Sequence, residues 1–299
     1  MDAPNLISQI NWMEKSDSID HLSELGSSLL TFPLESGLEA EVLKIGTEIG
    51  IELAGPDDKF FVLKTWSKSS KPDINYQFHL LQALSNSGLP VSKPLGWGVN
   101  DDSHSVLLTS FAGTPLLKVN PKKIAEIAII LSNIHKLPLE KLEHQQIRLH
   151  DFNSYFFPEI HAYPDLNQAI THLLKITPIQ QDHLIHGDFN LMNILENNGQ
   201  YAVIDWTNGQ LGDPRYDLAW SCFLLNIYVT ERISSLFLAA YLSENPYSSE
   251  ELEVFEALAC IRWILLDRTV ELAKRPDTAK RVKHIIKNNV HLNEQNIEI

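Results

Sequence analysis

The stretch His183–Trp206, HLIHGDFNLMNILENNGQYAVIDW, places Asp188, Asn193 and Asp205 around a short loop and a hairpin. Asp205 offers a carboxylate and Asn193 an amide oxygen. These are hard donors of the kind that hold Mg2+ against nucleotide phosphates, so the two are the candidate metal ligands. Asp188, five residues before Asn193, is the candidate catalytic base. It would take the proton of a substrate hydroxyl as that oxygen attacks phosphorus. Local signals explain how one segment presents all three. Leu184–His186 reads as a short buried strand, and Gly187 lets the chain turn without a Cβ penalty. Asn193–Leu195 enters a second strand, Asn197-Asn198-Gly199 is a hairpin turn signal, and Tyr201–Ile204 returns. The hairpin carries Asp205 back beside Asn193. A lone His-Gly-Asp means no more than a turn; the joint pattern carries the chemistry.

Protein-kinase catalytic loops divide the labour in the same way, with an Asp base, a metal-binding Asn and a later metal-binding Asp. The chain resembles the aminoglycoside phosphotransferase and choline kinase family of small-molecule kinases. The resemblance rests on HGDFNLMNIL, AVIDWTNGQLGDPRYDLAW, FVLKTW and LSNIHKLP, in the family's order from about Ser36 to about Trp220. It implies an α+β, bilobal protein-kinase-like fold with a small antiparallel β-sheet N-lobe and a mainly helical C-lobe. It also implies transfer of the terminal phosphate of a nucleoside triphosphate to a hydroxyl of a small molecule, such as an aminoglycoside-like compound or an amino alcohol. Mg2+ and ATP are the implied cofactor and co-substrate, with GTP left open.

Further residues follow from order along the chain. Lys64 in FVLKTW alternates with Val62; the resemblance gives it the nucleotide phosphates, and the plain alternative is a solvent-facing strand Lys. Its usual partner is a helix Glu, but Gln77 stands there, with Asp73 as the alternative if the register slips. Ser36-Gly37 falls where the family's phosphate-covering loop lies, the plain alternative being a surface turn. Ser110, Phe111 and Ala112 occupy the hinge position, where backbone groups would meet a purine base. His186 is expected to brace the catalytic loop and His135 to be structural. Asp217 is expected to cap a helix and steady the loop, with Asp213 doing similar work. Trp263, Asp267 and Glu271 share one helical face and form a candidate site for an amine substrate, the plain alternative being an exposed face with Arg268 and Lys274 nearby.

The elements that must position these residues are legible in outline. Residues before Leu30 read as amphipathic helix, followed by strands around Ala40–Ile45, Gly50–Leu53 and Phe60–Trp66. Asn75–Ser85 reads as a helix, SGLPVSKPLGWG as a loop and Val106–Phe111 as a strand. Ala112-Gly113-Thr114-Pro115 breaks regular structure. It divides a nucleotide-side lobe, residues 1–111, from a lobe of residues 112–299 holding the catalytic loop, metal site and substrate pocket. Pro121–His135 has proline at its start and apolar positions at helical spacing. His150–Ala162 is aromatic-rich and irregular. Helices are expected over Leu218–Val229, Ile233–Leu242 and Ser249–Glu271, with a basic tail helix to about Val290.

Composition excludes several classes. The 299 residues carry a formal net charge of −14, which opposes nonspecific nucleic-acid binding and leaves room for a cationic substrate. Two cysteines, Cys222 and Cys260, make no metal cluster and suit a reducing compartment. MDAPNLISQI has no signal-peptide pattern, and no apolar run spans a bilayer, so a cytoplasmic protein with no membrane partner is expected. Gln77 supports one alternative, a nucleotide-binding pseudokinase or regulatory protein. A protein kinase is disfavoured because Asp205 leads at once into GDPRYDLAW, without an activation segment.

Overall fold

Alternation along Phe60–Trp66 decides the first sheet. Phe61 and Leu63 turn into an apolar cluster with Ile7, Ile19, Leu22, Ile45 and Leu108, which leaves Phe60, Val62 and Lys64 to the other face. The computed structural model describes residues 6–34, 40–46, 60–67, 72–116, 118–142, 147–270, 272 and 274–298. Its elements in chain order begin with β1 (Asn11–Lys15), α1 (Asp17–Leu25), β2 (Leu30–Pro33), β3 (Ala40–Gly46), β4 (Phe60–Trp66) and α2 (Ile74–Asn86). Next come β5 (Pro94–Val99), β6 (Ser105–Ser110), β7 (Thr114–Pro115), α3 (Pro121–His135), α4 (Phe152–Phe156) and α5 (Pro164–Ile176). Then follow β8 (His183–Ile185), β9 (Ile194–Asn197), β10 (Gln200–Val203), β11 (Gln210–Gly212), α6 (Pro214–Tyr228), α7 (Glu231–Leu242), α8 (Ser249–Val270) and α9 (Thr278–Asn288).

The chain divides into two compact units. The first comprises Met1–Thr114, Leu142–Gln145 and Leu195–Thr207; the second comprises Pro115–Lys141, Gln146–Ile194 and Asn208–Ile299. The division falls at Thr114 rather than at Phe111, and the segment carrying Asp205 joins the first unit. Main-chain bonding explains that membership: Val203 N donates to Pro90 O at 2.7 Å, and Val91 and Val203 form a parallel bridge.

In the first unit six strands lie in the order β1-β5-β6-β4-β3-β2, each neighbouring pair antiparallel. Helix α2 starts at Asp73, whose carboxylate accepts from Tyr76 N, and packs on β5 and β6. Two expectations need correcting. Residues 11–15 are a strand, not part of a helix, and the Gly/Pro-punctuated stretch contains a strand, β5. The cause is shared. A Cβ at Gly98 would lie 2.3 Å from the carbonyl oxygen of Asn11, and one at Gly96 would lie 2.4 Å from the Ile19 side chain. These glycines let β1 and α1 close onto β5, so what reads as loop punctuation is close packing. The strand expected at Gly50–Leu53 lies outside the described residues.

The second unit is built on α6 and α8, against which α5, α7 and α9 pack. Its core joins Phe152, Phe156, Leu173, Tyr216, Phe223, Phe255, Leu258 and Trp263, among others. Helix α3 has the bounds its sequence suggests, with Pro121 in the first turn and Asn120 capping Lys123 N at 3.0 Å. Within the expected irregular region, Phe152–Phe156 is helical, and α5 follows it. Among the described residues no helix is long and apolar enough to cross a membrane.

Candidate active site

The loop after β8 is held from both sides by the helices of its own unit. β8 pairs with β11, and Gly187 then takes φ +77°. A Cβ there would sit 2.8 Å from Asn208, so glycine is required by conformation and by space. Asp217, fully buried on α6, accepts from His186 N at 2.7 Å and from Gly187 N at 3.0 Å. Ser221, one turn on, donates to Phe189 O at 2.7 Å. From α8 the buried Arg262 donates to Gly187 O at 2.8 Å. His186 braces the turn as expected: its Nδ1 accepts from Asp188 N at 3.2 Å. The cap of α6 is Asp213, which accepts from Arg215 N; Asp217 sits within the first turn and serves the loop instead.

Behind Asp217 lies a buried relay. A carboxylate can only accept, so His135 Nε2 donates to Asp217 at 3.2 Å. The other ring nitrogen of a neutral His135 then accepts from Tyr241 Oη, 2.6 Å away. Burial pushes the Tyr241 hydroxyl upward, which keeps that proton in place. Burial also favours the neutral acid at Asp217, yet the donors from His135 and the loop outweigh it and hold the carboxyl below its ordinary value. A depressed acid contributes stability above its unfolded value and loses it as pH falls through the lower folded one. Asp217→Ala is expected to cost about 3–5 kcal/mol, because it strands His135 and two backbone donors in the interior. Urea unfolding at neutral pH checks this. The difference from wild type should shrink in acid, below the ordinary carboxylate range.

Asp188 is aimed by two donors. Trp220 Nε1 reaches its Oδ1 at 2.8 Å, and Asn193 Nδ2 reaches its Oδ2 at 3.3 Å and its carbonyl oxygen at 2.9 Å. The Arg262 guanidinium stacks 4.1 Å from the Trp220 ring centroid, which fixes the indole. Each carboxylate oxygen has two lone pairs, so Asp188 keeps acceptor capacity for a substrate hydroxyl. The amide nitrogen of Asn193 is engaged by Asp188, so its oxygen is the candidate metal-binding atom.

The first unit holds the other candidates. Lys64 is half-buried on β4, opposite Val42 and Leu107, and its ammonium group makes no hydrogen bond or ion pair with another described residue. Asp73 is the cap of α2. Gln77 is buried and turns elsewhere: its Nε2 donates to Thr207 Oγ1 at 3.2 Å, and Thr207 donates to Asp205 Oδ1 at 2.7 Å. Asp205 is exposed at φ +63°, a left-handed conformation that Asp tolerates better than most residues. At the hinge position Ser110 N donates to Lys93 O and Phe111 N to Phe60 O, so two of the three expected backbone donors are occupied. Ala112 makes no backbone bond with a described residue. The Phe111 ring meets Phe60 edge-on, and Lys44 lies over both rings at 4.2 and 3.7 Å.

The expected amine face is not assembled. Trp263 is buried in the core with its ring N–H bonded to Tyr228 Oη at 3.0 Å, and Asp267 is paired with Lys274 at 2.7 Å. An apolar helix run claims the tryptophan for packing before any substrate can reach it. Glu271, Ser36 and Gly37 lie outside the described residues.

Four side chains that hold the candidate site escaped the sequence reading: Trp220, Ser221, Arg262 and Thr207. The first two had a signal, since Asp217, Trp220 and Ser221 recur at helical spacing on one face. Arg262 had one too, as a single charge inside ALACIRWILL, where burial demands a partner. Nothing local marks Thr207.

A family model described as "Phosphotransferase enzyme family" matches residues 33–253, and the chain belongs to that family. It has the α+β fold of the kinase-like small-molecule phosphotransferases. Among solved structures, a thermostable mutant of the aminoglycoside phosphotransferase APH(4)-Ia has a TM-score of 0.62 at 16% identity, covering 87% of this chain and 95% of that one. An amicoumacin kinase, solved with AMP-PNP, Ca2+ and its ligand, has a TM-score of 0.62 at 16% identity, covering 85% and 87%. Plasmodium vivax ethanolamine kinase has a TM-score of 0.56 at 15% identity, covering 89% and 83%. Among curated proteins, the mouse acyl-CoA dehydrogenase family member 10 is 28% identical over 50% of this chain. Escherichia coli hygromycin-B 4-O-kinase is 47% identical over 12% of it. The matches span only 16% and 11% of those two proteins' own lengths.

Proposed function

We propose that this chain transfers the terminal phosphate of a nucleoside triphosphate to a hydroxyl of a small molecule. The observation that carries this reading is the Asp188 carboxylate, oriented by Trp220 and Asn193 on a loop anchored by Asp217 and Arg262. A group held so firmly is prepared to orient an acceptor hydroxyl and take its proton as the new O–P bond forms. The electron pair of the broken O–P bond leaves with the nucleoside diphosphate.

The donors fit Mg2+. Asp205 has one oxygen engaged by Thr207 and a second for a cation, and Asn193 offers its amide oxygen. A cation held by such oxygens would offset charge on the phosphate oxygens. Lys64, with no described partner, supplies a point charge to the phosphates. Ala112 supplies the remaining hinge groups to the base, ATP being the expected nucleotide and GTP the alternative.

We read the acceptor as a hydroxylated amine. The net charge of −14 favours a cationic ligand, and the structural neighbours include an amicoumacin kinase and an ethanolamine kinase. Residence in the cytoplasm accords with two free thiols, both pushed up by burial, Cys222 to about 12. ADP and GDP release from Mg·ATP and Mg·GTP, measured against aminoglycosides, macrolides, amino alcohols and sugars, tests the reading. Turnover with one acceptor class that Asp188→Ala abolishes supports it. Magnesium-dependent nucleotide binding without turnover on any acceptor would favour the pseudokinase, and no nucleotide binding would refute both.

A further inference from the structure

We propose that Gln77 is a positioning residue for Asp205, acting through the hydroxyl of Thr207, and is not a weakened partner for Lys64. The inference rests on the reading of Asp205 as a metal ligand. A hydroxyl has one proton. At Thr207 that proton goes to Asp205 Oδ1, 2.7 Å away, because a carboxylate has none to give. The group facing Thr207 from α2 must therefore be a donor, and the Gln77 amide nitrogen at 3.2 Å is one. Gln77 is buried, Thr207 half-buried and Asp205 exposed, so the relay runs from the interior outward to the carboxylate. It ties down Oδ1 and leaves Oδ2 to the cation.

This chemistry selects Gln over Glu at position 77. A carboxylate there would compete for the Thr207 proton. The hydroxyl would then turn a lone pair toward Asp205, and two acids would share one donor. The usual kinase residue would thus harm this site, which reverses the meaning of the sequence departure.

The test uses the full chain with AMP-PNP as probe. The readout is the Mg2+ concentration giving half-maximal binding by calorimetry, with folding of each variant checked by circular dichroism. Q77E and T207V should each raise that concentration about tenfold, as for loss of one hydrogen bond to a charged group. The double variant should be no worse than either single change, since both break one relay. T207S should restore the wild-type value. The proposal is overturned if Q77E leaves magnesium dependence unchanged or tightens binding; tighter binding would mean an ion pair with Lys64 had been regained. Additive losses in the double variant would also overturn it. Asp205→Ala separates the two readings. If it removes magnesium dependence while Q77E and T207V do nothing, only the relay fails. If it changes nothing, or if wild-type binding ignores Mg2+, the metal-site assignment fails and takes the relay with it.

Discussion

Asp188→Ala is expected to lower kcat by about 10²–10⁴-fold, the usual contribution of a positioned general base, and to leave nucleotide affinity nearly unchanged. The reasoning separates chemistry from support. The carboxylate accepts from Trp220 and Asn193, but the loop itself hangs on Asp217, Ser221 and Arg262, none of which needs the Asp188 side chain. Truncation leaves the Trp220 N–H without its acceptor at a half-buried position, while Asn193 keeps the Asp188 carbonyl oxygen, a cost of about 1–3 kcal/mol that leaves the chain folded. Asp188→Asn sharpens the test. Its amide oxygen can still accept from Trp220, so the shape survives, but an amide cannot take the acceptor's proton. Both variants should therefore lose kcat with little change in nucleotide KM. Retention of kcat within about threefold in Asp188→Asn would remove the residue from the role of base.

The core of the candidate site was legible because its residues are close in sequence. Asp188, Asn193, Asp205 and His186 sit in one short stretch whose turn and hairpin residues announce their geometry, and Gly187 marks the point where the chain must turn. What sequence could not give depends on packing between distant segments. Gln77 and Thr207 are 130 positions apart, and only the fold makes them neighbours. Trp263 shows the opposite failure: helical spacing correctly puts it on a face with Asp267, but spacing cannot say that the face is interior. The β5 error has the same origin, since Gly96 and Gly98 carry loop signals locally and serve strand packing globally. Acceptor choice stays least legible, because the proposed base and metal site would serve every acceptor this chemistry can use.

Asp205→Ala should be the other severe lesion, with turnover falling about 10³-fold, equivalent to several kcal/mol of lost charge stabilisation. Its character should differ from that of the Asp188 variants. Losing a metal ligand raises the Mg2+ requirement and weakens binding of the Mg·nucleotide, so KM for nucleotide rises along with the fall in kcat. Asp205 is exposed, and its removal takes one negative charge from a chain of net charge −14, so no large loss of folding stability follows from electrostatics. The backbone contributes separately: Ala at φ +63° costs roughly 1–2 kcal/mol, whereas Asn tolerates that conformation. Asp205→Asn is therefore the cleaner comparison. It keeps the conformation and one oxygen, for either Thr207 or the cation, and it loses the charge and the second acceptor oxygen. Its activity should lie between Ala and wild type and recover in part at high Mg2+. An Asn variant as inactive as Ala at every Mg2+ concentration would mean that one uncharged oxygen does not replace the carboxylate. Wild-type activity in both variants would place the cation elsewhere.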